Sequence, residues 1–255
     1  MNISFPRILS FKGHIKPDWQ TSKINNDVVI FDPITLPNDT FGPLTLDIKG
    51  NPNGKNDFTI SIKNSLKKLI GQETMRILPE YKMIAGQLME VEPEYRKSGK
   101  RRGHKFGELL RLSSVMALMQ NKLNYIYINS KDSAVYFHSK YKFEPYISDA
   151  MERDRALETI IQDKSENFED LRQRAEKIYS KTKRPYNAVN INKGYMKATN
   201  NLVKEYIQRA MQEPNPNENH HFKKGLDMIL TKENVKRNKD YFNELFKKHG
   251  IDYQI

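Results

Sequence analysis

The sequence predicts an α+β fold, a mixed and mostly antiparallel sheet followed by a C-terminal α-helical region. Three observations predict it. Short apolar runs separated by proline and turn residues fill the first third of the chain. A strand-like run, a cationic turn, an amphipathic helix and a second strand follow between Met83 and Asn129. Beyond Ser148 the apolar residues recur at helical spacing. The change of pattern divides the chain into a sheet-bearing domain, 1–147, and a helical region, 148–255.

Residues 1–56 carry Pro6, Pro17, Pro33, Pro37, Pro43 and Pro52, which interrupt any long helix. Strand candidates there are Val28–Phe31 and Leu44–Ile48. Asn51–Asp57 is a turn leading into a strand at Phe58–Lys63. Lys67–Ile77 reads as a strand antiparallel to its neighbours, with a local helix as the competing assignment, because Gly71 interrupts it and Pro79 stops it. Tyr81–Val91 then pairs back across the turn Leu78–Glu80, giving a meander of three or four strands. Helix Phe106–Gln120 has an apolar face built from Phe106, Leu109, Leu110, Val115, Met116, Ala117 and Met119. The strand Tyr125–Asn129 follows, implying a right-handed parallel crossover. Ser130–Ser133 can cap the next short helix, Ala134–Tyr141. Further helices are expected around Leu157–Ile161, Phe168–Ile178 and Leu202–Ala210, and Phe222–Leu230 and Lys232–His249 complete the helical pattern, with Gly250 at a C-cap position. Lys181–Asn187 reads as a linker, Ala188–Ile191 as an extra strand and Glu213–Asn219 as a solvated turn.

Composition narrows the function. The chain has 255 residues, no cysteine and six histidines, so disulfide and thiolate chemistry are excluded and no metal site is expected. No apolar run approaches the roughly 18 residues of a membrane helix, and residues 1–16 lack a signal-like apolar core. A soluble, cytoplasmic protein is expected. The formal net charge is +12, and the window Glu94–Lys105 holds six basic residues against one acid. An anion is expected at that turn, where the following helix start offers backbone N–H groups and the positive end of its dipole.

Three pieces of the centre resemble the GNAT superfamily of acyl-CoA-dependent N-acyltransferases. Val-Glu-Pro-Glu-Tyr-Arg (Val91–Arg96) looks like the end of the family's fourth strand. Arg-Gly-His-Lys-Phe-Gly-Glu-Leu-Leu (Arg102–Leu110) is similar to its glycine-bearing cofactor turn and the helix that follows. Ala-Val-Tyr-Phe-His-Ser-Lys-Tyr-Lys-Phe-Glu-Pro (Ala134–Pro145) resembles the family's closing A-x-x-L-Y-x-K-x-G-F motif. Lys105 stands where the family has its first glycine, His138 where it has a tyrosine, Lys142 where it has the glycine before Phe143, and Lys131 where an asparagine is usual.

The resemblance implies a GNAT-like sheet with splayed central strands, acetyl-CoA (coenzyme A) as co-substrate and no metal. It implies an N-acyltransferase, most simply an acetyltransferase. Its cofactor would be bound by Met89, Val91, Arg101, Arg102, Gly103, His104, Lys105, Phe106, Gly107 and Glu108. Catalytic candidates are Glu90 and Glu92 as bases, His138 as the acid at the leaving thiolate, and Tyr136 if the helix register differs. The partners are then acyl-CoA and an amine acceptor, with a homodimer allowed and no membrane. Two alternatives stand beside this reading: a nucleic-acid-binding protein using the basic 96–105 loop, and a catalytically degenerate CoA-binding module.

Overall fold

The computed structural model describes residues 29–36, 42–50, 57–95, 105–120, 123–132, 134–182 and 193–255. The chain folds as two compact units, 1–126 with 231–255, and 127–230. The division differs from the 147/148 boundary expected from the change in periodicity. The chain enters the second unit within a strand and returns to the first through its last segment.

The first unit is built on five strands: β1 (Val29–Leu36), β2 (Leu44–Gly50), β3 (Asp57–Lys63), β4 (Leu69–Leu78) and β5 (Met83–Val91). They run in sequence order, each antiparallel to the next, one strand more than the expected meander. Residues 67–77 form strand, not helix. Gly71 explains the ambiguity: a Cβ there would lie 2.9 Å from the Glu90 carbonyl oxygen, so the close approach of β5 requires glycine inside a strand. Leu46, Ile48, Phe58, Ile60, Ile62, Ile70, Met75, Ile77 and Ile84 are buried on these strands. Each contributes on the order of 1.5–3 kcal/mol of hydrophobic stabilisation.

Helix α1 (Phe106–Gln120) packs on β3, β4 and β5. The expected single apolar face is a correction to make: the helix is buried almost all round, from Glu108 through Leu118. The cause lies far along the chain, in α7 (Lys232–Arg237) and α8 (Lys239–Lys248), which also pack on α1. The expected helix 232–249 is broken between them at Asn238, whose side chain donates to the Asn234 carbonyl. Gly250 ends α8 with φ +69, its N–H donating to Lys247 and the Ile251 N–H to Phe246, as a helix C-terminus requires.

The strand β6 (Tyr125–Ser130) leads into the second unit, which contains α2 (Ala134–Lys140), β7 (Glu144–Pro145), α3 (Ala150–Gln162), α4 (Glu169–Thr182), α5 (Lys193–Ala210) and the short α6 (Pro216–Asn219). A strand that helical reading of this region misses, β8 (Leu226–Thr231), lies between β6 and β7 and pairs antiparallel with β7. Its run Leu-Asp-Met-Ile-Leu-Thr is buried at nearly every position, so it shows no alternation. α3, α4 and α5 pack on one another around Leu157, Ile160, Leu171, Leu202, Val203 and Tyr206. The expected turn at 51–56 and strand at 188–191 lie outside the described residues, as does most of the 181–187 linker.

Candidate active site

In the first unit the candidate site is assembled at the end of β5. Its register sets Val91 opposite Gly71, Glu90 opposite Gln72 and Met89 opposite Glu73. A bulge interrupts the ladder between Thr74–Leu88 and Met75–Gly86, leaving Gln87 as the extra residue. Such a bulge twists the strand and turns its end away from its partner. Glu90 accepts a 2.6 Å side-chain bond from Gln72, and the Glu92 N–H donates to the Ile70 carbonyl, so the Glu90 carboxylate and the Glu92 backbone are held where β5 terminates.

Residues 96–104, with Arg101, Arg102, Gly103 and His104, lie outside the described residues, but both ends of that segment are fixed. Tyr95 meets Phe106 edge to face, ring centroids 6.0 Å apart. This contact brings Tyr95, after the end of β5, against the start of α1. Phe106 is buried. The Lys105 carbonyl accepts the first helical bond, from Leu109, and Lys105 itself has φ +38.

Three more lysines have positive φ: Lys67, Lys82 and Lys142. Lys142, after α2, has φ +67, with its N–H donating to Ser139 and that of Tyr141 to His138. Left-handed backbone costs a residue with a Cβ about 1 kcal/mol or more and favours glycine. Lys105 and Lys142 are the two positions at which the resembled motifs carry glycine. The backbone keeps the glycine conformation although the side chain has changed.

The interior beneath β5 is polar in a way the sequence did not announce. Arg111 is 1% exposed and lies 2.8 Å from the Glu73 carboxylate, whose other oxygen accepts from Ser114 at 2.5 Å. The same guanidinium reaches the Met89 sulfur at 3.4 Å. Burial pushes the Glu73 carboxyl up from its ordinary range, opposed by Arg111 and Ser114. Glu108, in the first turn of α1, is 1% exposed and its carboxylate meets Lys248 at 2.7 Å and His249 at 2.8 Å. Spacing could have hinted at both arrangements, since Glu108, Arg111 and Ser114 are at i, i+3 and i+6 on an otherwise apolar helix.

The other two candidates belong to the second unit. His138 is buried, with its ring against Phe137 and Phe143 at 5.1 and 5.6 Å. Tyr136 is also buried and donates its hydroxyl to the His220 carbonyl at 3.0 Å. Burial, together with Asp163, Asp132 and Glu213, pushes that phenol far above its ordinary pKa. Nearby, His220 bridges two carboxylates, Asp163 at 2.6 Å and Glu213 at 3.0 Å, while Tyr206 donates to Asp163 at 2.7 Å. His220 was not singled out in the sequence; its carboxylate partners come from the C-terminal end of α3 and from the segment after α5.

The strands form one sheet whose first five are an antiparallel meander, followed by helix, strand, helix and further strands, an α+β order. Solved structures similar to this chain include a GNAT-family acetyltransferase, GCN5 and a spermidine N-acetyltransferase. A GNAT-family acetyltransferase from Staphylococcus aureus Mu50 is 23% identical, with 36% of this chain and 55% of that chain covered and a TM-score of 0.31. The corresponding values for Tetrahymena GCN5 are 14%, 39%, 58% and 0.32. For spermidine N-acetyltransferase from Vibrio cholerae, solved with CoA and spermine, they are 17%, 36%, 53% and 0.29. The chain thus spans little more than half the length of these structures. No protein-family model and no curated protein matches the sequence.

Proposed function

We propose that this chain is an acyl-CoA-dependent N-acyltransferase, most simply an acetyltransferase, acting on an amine. The observation that carries the proposal is the left-handed backbone at Lys105 and Lys142, because it preserves two glycine-type turns of the resembled motifs where the residue type has diverged. Coenzyme A presents a diphosphate and a ribose phosphate. The loop 96–105 would supply cations, and the start of a 15-residue helix would supply the positive end of its dipole. In the proposed mode the pantetheine amides lie along Met89–Val91, past the bulge at Gln87, much as an added strand would.

In the reaction the amine nitrogen attacks the thioester carbonyl, the carbon–sulfur bond breaks and the thiolate leaves. An ammonium is no nucleophile, so one proton must go to a base, and the leaving thiolate must gain one. Glu90 and Glu92, at the end of β5, are the proposed bases. His138 is the proposed acid, and Tyr136 is demoted because its hydroxyl is committed to a backbone carbonyl. That commitment also keeps the non-catalytic CoA-binding alternative in view.

Calorimetry with acetyl-CoA tests the binding half. The expected result is saturable binding that Arg102→Glu with Lys105→Glu abolishes. Absence of heat at high micromolar acetyl-CoA would refute it. Release of free thiol in the presence of an amine panel separates a transferase from a binding module.

A further inference from the structure

The second unit contains a groove that the transferase reading does not use. Helix α3 forms one wall, presenting Glu152, Arg155, Thr159 and Gln162 at helical spacing. The segment His221–Asp227 forms the other wall. The wider part of the groove encloses about 240 Å³, and a narrower recess of about 30 Å³ adjoins it, sharing Arg155, Lys224 and Gly225. This is small beside the roughly 300–1,000 Å³ of sites for drug-sized ligands, so its occupant is a small metabolite.

The two parts differ in charge. Arg155 and Lys223 line the wider part, and neither has a carboxylate partner among the described residues; Arg155 bonds only the Met151 sulfur at 3.2 Å. Lys224 approaches Glu158 at no closer than 4.0 Å. Asp163, on the floor, is already engaged by Tyr206 and His220. The recess instead holds two carboxyl groups, Glu152 and Asp227. Asp227 also accepts from Asn129 at 2.6 Å and from the Tyr127 hydroxyl.

The geometry points to a binding site for a small zwitterion, its anionic group on Arg155 and Lys223 and its ammonium on the Glu152–Asp227 pair. The distribution of charge selects this class. A simple anion would leave Glu152 and Asp227, which among the described residues accept only from neutral donors, without a counter-charge, and a simple amine would leave Arg155 and Lys223 without one. The site goes beyond the acyl-transfer reading and does not depend on it.

Proton release identifies the mode of binding. Burial and Asp227 raise the Glu152 carboxyl to about 7. Facing it are Asp149 and Ser148 at the start of its own helix, Asp227 on β8 with Tyr127 and Asn129 of β6 behind it, and Arg155 and Lys224 on the groove walls. An arriving ammonium favours the ionised Glu152 carboxylate, whose proton then leaves to solvent.

The test is titration calorimetry of the full chain at pH 7 with O-phosphoethanolamine and β-alanine, and with inorganic phosphate and ethylamine as single-charge controls. Each titration is run in two buffers of different ionisation enthalpy. At least one zwitterion is expected to bind ten or more times more tightly than either control, and to release a proton. Which one binds decides between a phosphate and a carboxylate occupant. Arg155→Glu with Lys223→Glu, both exposed, should abolish binding without moving the melting temperature. Glu152→Gln should bind without proton release. Failure of both zwitterions to bind, or unchanged affinity in the double variant, would overturn the site. Zwitterion binding in a chain that ignores acetyl-CoA would refute the transferase reading and support this one.

Discussion

Replacing Arg111 with methionine removes the cation that faces Glu73, in a place where water cannot substitute. The two side chains are 1% and 2% exposed and 2.8 Å apart. At an effective dielectric of about 20, unit charges about 4 Å apart attract by roughly 4 kcal/mol. That attraction offsets a desolvation cost of several kcal/mol per ion, so the intact pair contributes little net stability. Breaking it is different: a lone buried carboxylate costs about 3–5 kcal/mol. Arg111→Met should therefore lower the unfolding free energy by that amount. The double variant Glu73→Gln, Arg111→Met should recover at least half of the loss, since no buried charge remains. Urea denaturation of wild type, both single variants and the double variant gives the coupling energy directly. Additive losses, or an Arg111→Met cost below about 1 kcal/mol, would refute the reasoning. Because Arg111 also touches Met89, the same set should show weakened acetyl-CoA binding if β5 holds the pantetheine arm.

Four further outcomes follow from the geometry. Lys142→Gly should stabilise the protein by about 1 kcal/mol in thermal unfolding, because φ +67 suits glycine, whereas Lys142→Ala should not. Gly225→Ala combines φ +75 with a Cβ 2.7 Å from the Ser130 carbonyl oxygen and should cost about 2–4 kcal/mol by urea denaturation. Tyr136→Phe leaves the His220 carbonyl without its donor and should cost about 1–2 kcal/mol; a large loss of turnover at unchanged stability would instead restore Tyr136 as an acid. Glu152, raised from 4.5 to about 7, binds more protons folded than unfolded between those values. Its contribution is therefore complete at acid pH and is lost as pH rises through that window, so the wild type should lose melting temperature from pH 5 to 7 relative to Glu152→Gln.

The strands from Leu44 to Val91 and helix α1 were legible because their apolar periods are local properties of the chain. The glycine-type turns were half legible: motif spacing pointed to Lys105 and Lys142, but only the backbone angles reveal that lysines occupy glycine conformations. β8 was hidden because a strand buried on both faces carries no alternation. The full burial of α1 was hidden for another reason. Its second face is covered by residues 120 or more positions away, and Glu108, Arg111 and Ser114 resemble surface residues until Lys248, His249 and Glu73 are seen beside them. The pairing of Glu152 with Asp227 is likewise a meeting of distant segments, although Asp149 and Glu152 already have the spacing of a helix N-terminal cap.

The return of residues 231–255 to the first unit has a consequence for biosynthesis. Translation is vectorial, so α1 emerges well before α7 and α8, the helices that shield it. During that interval its leucines and its ionised Glu108 confront water or some other protector. A nascent chain stalled after Pro145 would thus display a sticky, half-dressed sheet, a ready client for chaperones and a poor choice of expression fragment.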